Sequence, residues 1–218
     1  ADLVDGVIAI DGKTLRRSHD RRNGKKAIHM VSAWSSANRV VLGQVKTDEK
    51  SNEITAIPEL LKVLSVKGCI VTIDAMGCQK NIAKQIVEAE GDYLLALKGN
   101  QSSLSEQVEA VFEQANEAGY EDYDVDYYET KEPSRDRYEV RRHWTLSVAD
   151  TQINTQPWEG LNIIGMVESQ RTIKNETSID YRYYIGSIEN NAKLFAQSVR
   201  DHWGVENGLH WQLDMSFR

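Results

Sequence analysis

Two short apolar runs in this chain stop on an aspartate: Val7-Ile8-Ala9-Ile10 leads into Asp11-Gly12-Lys13, and Ile70-Val71-Thr72-Ile73 leads into Asp74-Ala75-Met76-Gly77. A short apolar run closed by an acid and a glycine reads as a buried strand followed by a turn. In α/β folds, the ground beyond the carboxyl ends of such strands is where chemistry is placed. Either aspartate alone is also an ordinary turn residue, since its side chain accepts backbone N–H groups just ahead of it. Two of them at the ends of two core strands raise the question of what a pair of carboxylates would hold.

The periodicities set these strands in a definite order. Residues 7 to 13 read as a strand, 27 to 36 as a second, and 40 to 47 as a third joined to it by a hairpin through Ser35-Ser36-Ala37-Asn38-Arg39. Ile57, Leu60, Leu61 and Leu64 fall at helical spacing, with Pro58 read as part of the first turn. A fourth strand follows at 69 to 74, a helix at 80 to 90 that stops at Gly91, and a fifth strand at 93 to 97 that ends in Lys98-Gly99-Asn100-Gln101. The order β-β-β-α-β-α-β describes a meander followed by right-handed crossovers into parallel strands, hence a mixed five-stranded sheet with flanking helices. That α/β order is the one found in ribonuclease H-like domains.

After Lys98 the pattern changes. Ser103-Leu104-Ser105-Glu106 reads as a capping box, and Leu104, Val108, Val111, Phe112 and Ala115 continue a helix to Gly119. From 123 to 188 the period becomes two: Tyr138, Val140, Arg142, Trp144, Leu146 and Val148 alternate with Glu139, Arg141, His143, Thr145 and Ser147. Strands at 161 to 173 and 179 to 188 form a hairpin around Lys174-Asn175-Glu176. Helical spacing returns at 191 to 202 and again at 203 to 215, where Val205, Leu209 and Leu213 make an apolar row. The reading is therefore a core over 1–101, a helix and β-rich insertion over 102–188, and C-terminal helices over 189–218 that complete the core.

No apolar run approaches the roughly 20 residues of a membrane span, and no basic-then-apolar leader is present, so a cytoplasmic location without membrane association is the default. Cys69 and Cys78 match neither a disulfide framework nor a zinc spacing and read as reduced thiols. The start at Ala1 and the stop at Phe217-Arg218 inside a helical pattern suggest a piece of a longer protein. The formal net charge of -7 argues against a wholly nucleic-acid-binding surface, yet the charge is unevenly spread. Lys13, Arg16, Arg17, Arg21, Arg22, Lys25 and Lys26 face one acid, Asp20, over residues 13 to 26, whereas residues 101 to 132 carry ten acids and the single base Lys131. A basic loop beside a strand-end aspartate suits a polyanion.

On the late helix, Glu206 and His210 lie one turn apart, and His202 one turn earlier, so a His-x3-Glu-x3-His metal site can be drawn. Its face drifts over two turns, and the familiar helical zinc site places its two histidines four apart. A third carboxylate brought by this helix to the two strand-end aspartates is the stronger reading.

IAIDGKTLRRS at 8 to 18, KSNEITAIPELL at 50 to 61, VTIDAMGCQKNIA at 71 to 83, DYLLALKGNQ at 92 to 101, RYYIGSI at 182 to 188 and HWGVENGLHWQLDMSF at 202 to 217 closely resemble the H-repeat-associated family of bacterial insertion-sequence DDE transposases. The resemblance implies a ribonuclease H-like catalytic domain with a β-rich insertion between the second and third acids. It matches Asp11 to the first acid, Asp74 to the second and Glu206 to the third, as catalytic residues and ligands of two Mg2+ or Mn2+ ions. Hard cations of this kind take oxygen ligands, and two of them about 4 Å apart activate the nucleophile and stabilise the leaving oxygen in phosphodiester cleavage and strand transfer. The implied partner is double-stranded DNA, at transposon ends and target, with room for a homodimer.

Lys13, Arg16, Arg17, Lys98, Arg200 and His210 are the candidate DNA contacts, and Asp214 is a lesser site candidate. Related transposases with β insertions place an arginine and a lysine near the third acid, where this chain has His202 and Leu213. Two rival readings stand beside this one. Asp11-Gly12-Lys13-Thr14 resembles the first phosphate loop of actin-like sugar kinases, but the second glycine-rich loop is missing. A catalytically inactive transposase-derived domain that binds DNA or a partner is the alternative function, against which the presence of all three acids argues.

Overall fold

A computed structural model describes residues 6–15, 27–47, 53–134, 137–174, 176–205 and 208–209. The chain forms two compact units, one of residues 1–95 with 198–218 and the other of residues 96–197. The first unit contains β1 (Val7–Thr14), β2 (His29–Ser35), β3 (Val40–Thr47), α1 (Glu53–Val63), β4 (Ile70–Ile73), α2 (Lys80–Glu88) and most of β5 (Asp92–Leu97).

Its sheet runs in the order β3-β2-β1-β4-β5, with β1–β2 and β2–β3 antiparallel and β1–β4 and β4–β5 parallel. The mixed parallel and antiparallel pairing of the α/β reading is therefore present. Val7 to Ile10 and Val71 to Ile73 are buried on both faces, as strands covered on two sides must be. α1 turns Ile57, Leu60 and Leu61 inward, and α2 turns Ile82, Ala83 and Ile86 inward. Gly43 has no room for a side chain because Leu60 Cδ1 of α1 lies 2.9 Å from where its Cβ would be.

Several boundaries differ from the sequence reading for physical reasons. β1 continues to Thr14 because it stays paired with β2 after its pairing with β4 has stopped. Pro58 lies inside α1, not in its first turn, and has no N–H to give to the carbonyl of Ile54. Glu90, at φ 58°, makes the left-handed turn that ends α2. Gly91 is needed instead for close packing, since Val66 O lies 2.8 Å from its absent Cβ.

The second unit holds α3 (Ser102–Glu117) and an antiparallel sheet of β6 (Val125–Ser134), β7 (Arg137–Ser147), β8 (Ile163–Ile173) and β9 (Glu176–Gly186), ordered β9-β8-β7-β6. The capping box is not formed: α3 starts at Ser102, and Ser103 Oγ, inside the first turn, accepts from Gln107 Nε2 at 3.2 Å. One face of the sheet meets α3 through Phe112 and Tyr183, whose rings lie 6.0 Å apart. The other face meets Phe195 of α4 (Ala192–Val205), which packs edge-on against Tyr184 and His143. Phe195 also fills the space beside Gly165, 2.7 Å from where a Cβ would stand. His143 and Thr145, on the polar side of the β7 alternation, are consequently buried. α4 runs unbroken through His202 and Trp203, where the sequence suggested two helices, and its second half belongs to the first unit. Among the described residues, no helix is long and apolar enough to cross a membrane.

Candidate functional site

The geometry of the site follows from the register of β1 on β4. Ala9 is opposite Thr72 and Ile10 is opposite Ile73, and there the parallel pairing ends. Asp11 and Asp74 are the next residue on each strand, and Asp74 keeps an extended backbone at φ -67°, ψ 176°. Side chains alternate along a strand, so Asp11 follows the face of Ala9 and Asp74 follows the face of Thr72. The two aspartates therefore occupy neighbouring positions on one face of the sheet.

That is the face covered by the end of α4. Ala9, Trp34, Val205 and Leu209 form one buried apolar cluster. Ser36 Oγ donates to the carbonyl of Asp201 at 3.2 Å, and Thr72 Oγ1 and His202 Nδ1 are hydrogen-bonded at 3.0 Å. Burial lowers the His202 pKa, while the negative charge of Asp74 and a hydrogen bond with the Thr72 backbone oppose that shift. The same enclosure raises the pKa of Asp201 against the pull of Arg200.

Both aspartates are half-buried and shaped by backbone donors. Asp11 Oδ1 accepts the Gly12 N–H at 2.8 Å. Asp74 Oδ1 accepts from Met76 N at 3.0 Å and Gly77 N at 3.4 Å, capping the short turn Ala75–Gly77. Below that turn, Cys78 is buried, and burial together with the Asp74 charge pushes its thiol up to about 12. Cys69 is likewise a free, buried thiol.

The other candidates are scattered. Lys13 is half-buried on β1 opposite Met30, Lys98 is exposed at the end of β5, and Arg200 is exposed on α4. Glu206, His210, Arg16, Arg17 and Asp214 lie outside the described residues. Among the described residues no group of three His, Cys, Asp or Glu side chains is placed to hold a metal ion. Asp11 and Asp74 supply a pair of carboxylates, a donor chemistry that suits a hard divalent cation.

One arrangement went unnoticed in the sequence. His29 and Glu53 are buried, at 3% and 2% exposure, and His29 Nε2 lies 2.5 Å from Glu53 Oε1. His29 Nδ1 is 2.8 Å from Oγ1 of the exposed Thr14. The available signal was Glu53 itself, four residues before Ile57 on the apolar face of α1, where a carboxylate needs a buried partner.

An open mixed sheet with two acids ending neighbouring parallel strands, and a late helix closing over them, defines a recognisable class. The family pattern described as "Transposase DDE domain" matches residues 2–218, and the chain belongs to that family. Within it the chain is similar to the "H repeat-associated putative transposase YhhI" of Escherichia coli K12, 47% identical over 216 residues, which are 96% of this chain and 56% of that protein. It is 48% identical over 219 residues to the "Putative transposase YncI" of Escherichia coli O157:H7, covering 98% of this chain and 55% of the relative. It is also 48% identical over 150 residues to the "H repeat-associated putative transposase YbfD" of Escherichia coli K12, covering 68% and 57%. The chain thus spans little more than half the length of these relatives.

Proposed function

We propose that this chain is the catalytic domain of an insertion-sequence transposase, with a ribonuclease H-like core, a β-rich insertion over 102–188, and Asp11, Asp74 and Glu206 as its acidic triad. The observation that carries the reading is the register: Asp11 and Asp74 take adjacent places on one sheet face, just past the last parallel pair Ile10–Ile73. The family supports it, and so does the end of α4, which lays Val205 on Ala9 and Trp34 one residue before position 206.

The carboxylates of Asp11, Asp74 and Glu206 would hold Mg2+ or Mn2+, two ions in the reading favoured by the family. Bound there, such ions supply Lewis-acid activation of the attacking oxygen and stabilisation of the leaving one. The chain's own contribution is positional. The Gly12 N–H fixes one oxygen of Asp11, the 76–77 amides fix one oxygen of Asp74, and α4 covers the face with Val205 and His202. Lys13, Arg16, Arg17, Lys98, Arg200 and His210 would contact double-stranded DNA at element ends or target, as a monomer or a homodimer, in the bacterial cytoplasm.

The test is Mn2+-dependent nicking of duplex DNA carrying the element's ends by the full-length protein, compared with Asp74→Ala. Loss of nicking with retained DNA binding is expected. Equal rates refute the assignment, and metal binding without nicking in the unaltered protein favours an inactive DNA-binding derivative.

A further inference from the structure

We propose that Thr14, His29 and Glu53 form a positioning chain for Asp11, an inference that deepens the reading above and rests on it. Asp11 stands at the point where β1 loses one of its two neighbours. Among the described residues, the pairing with β4 ends at Ile10, and Asp11 to Thr14 continue on β2 in the register Asp11↔Ser32 through Thr14↔His29. A strand end held on one side is the part of a sheet most ready to twist or peel. This one carries a carboxylate that must keep its place beside another.

The chain of hydrogen bonds adds a restraint from beneath. His29, on β2, bonds across to its β1 partner Thr14 at Oγ1, 2.8 Å away, and to Glu53 Oε1, in the first turn of α1, at 2.5 Å. It thereby joins β1, β2 and α1 at one point. The polar atoms lie directly against Gly12: a Cβ on that residue would stand 2.2 Å from Glu53 Oε1 and 2.8 Å from His29 Nε2. A side chain there would have to displace the pair, and the same Gly12 gives its N–H to Asp11 Oδ1 at 2.8 Å. The buried pair therefore abuts the peptide that orients the first acid. Alternation puts Glu53 on the face of β1 opposite to the Asp11 side chain, so Glu53 is a positioning residue and not a ligand.

Energetics favour this role over plain stabilisation. A buried, ionisable hydrogen-bonded pair is commonly no more stabilising than apolar side chains of the same volume, but it has one geometry where an apolar contact has many. Outer partners of this kind act through the ligands they hold, and their removal weakens metal affinity by about 10- to 100-fold.

The experiment is a calorimetric Mn2+ titration of the full chain, each variant being checked by thermal unfolding to be folded at the assay temperature. Glu53→Ala and Gly12→Ala are expected to bind Mn2+ about tenfold or more weakly. Glu53→Gln, whose Oε1 still accepts from His29, is expected to keep its affinity within about threefold, because position and not charge is what matters. Should either single variant not fold, Gly12→Ala/Glu53→Ala decides, since the new methyl takes the space of the missing carboxyl and weak binding is still expected. Wild-type affinity in any folded Ala variant, or an equal loss in Glu53→Gln and Glu53→Ala, overturns the positioning chain. Asp74→Ala separates the two ideas: if it binds Mn2+ as the unaltered chain does, the acidic-site reading itself has failed.

Discussion

Val205→Ala tests whether the end of α4 delivers its part of the site by packing. Val205 has no exposed surface and shares a cluster with Ala9, Trp34 and Leu209. The substitution deletes two buried methyl groups, about 1.6 kcal/mol at roughly 0.8 kcal/mol each. The cavity left between Trp34 and Leu209 brings the cost to about 2–3 kcal/mol. If that loss falls on the docking of the last turn, its open population rises about thirtyfold or more, at roughly 1.4 kcal/mol per tenfold. Faster hydrogen exchange of the backbone amides over 199–205 and weaker Mn2+ binding should then appear together. Val140→Ala, a buried valine of the 96–197 unit, is the control for general destabilisation and should leave Mn2+ binding unchanged. A Val205→Ala chain that loses thermal stability yet exchanges and binds Mn2+ like the unaltered chain refutes the reasoning, because the acid after α4 would then not depend on this contact.

Two further outcomes follow from buried titratable groups. His143 lies under Phe195, and burial depresses its pKa to about 4 against an ordinary 6.5. The unfolded chain therefore takes up a proton before the folded one does. Stability from this residue is complete above about pH 6.5 and falls by about 3 kcal/mol as the pH drops to about 4. Urea unfolding at pH 7.5 and 4.5 should show a larger loss for the unaltered chain than for His143→Gln, and parallel losses contradict the assignment. Cys78, its thiol pushed up to about 12 beside Asp74, should resist iodoacetamide in the native chain near pH 8 and react only on unfolding. Intact-mass measurement of rapid native modification at Cys78 counts against the burial described.

What could be read from the sequence was what repeats along one element. Ile8 and Ile10, Val71 and Ile73, and Leu60 with Ile57 announced their strands and helix by period, and the meander followed by parallel strands could be read from the element order. The neighbouring placement of Asp11 and Asp74 was legible for the same reason. Contacts between elements left little local trace. Glu53 lies in the first turn of α1, and nothing within its own window specifies that His29, on the second strand, meets it in the core. Likewise the alternation over Tyr138–Val148 marks a strand but not what covers its faces: Phe195, some fifty residues later, covers His143 and Thr145. The capping box failed because Gln101 took the cap position and Ser103 bonded to Gln107 one turn on.

For Asp74 the turn role and the proposed ligand role need not compete. Both of its backbone hydrogen bonds fall on Oδ1. Two backbone donors on one oxygen restrain the carboxylate at the end of β4. A metal ligand is improved by such restraint, since a site that must bring like charges together gains when their directions are set beforehand by neutral donors. Asp11 has the same device in the Gly12 N–H, and there the donor peptide is itself packed against Glu53 and His29. Read singly, each aspartate is only a turn residue. On neighbouring strands and one face, the two turns become the rigid supports that a pair of acids needs.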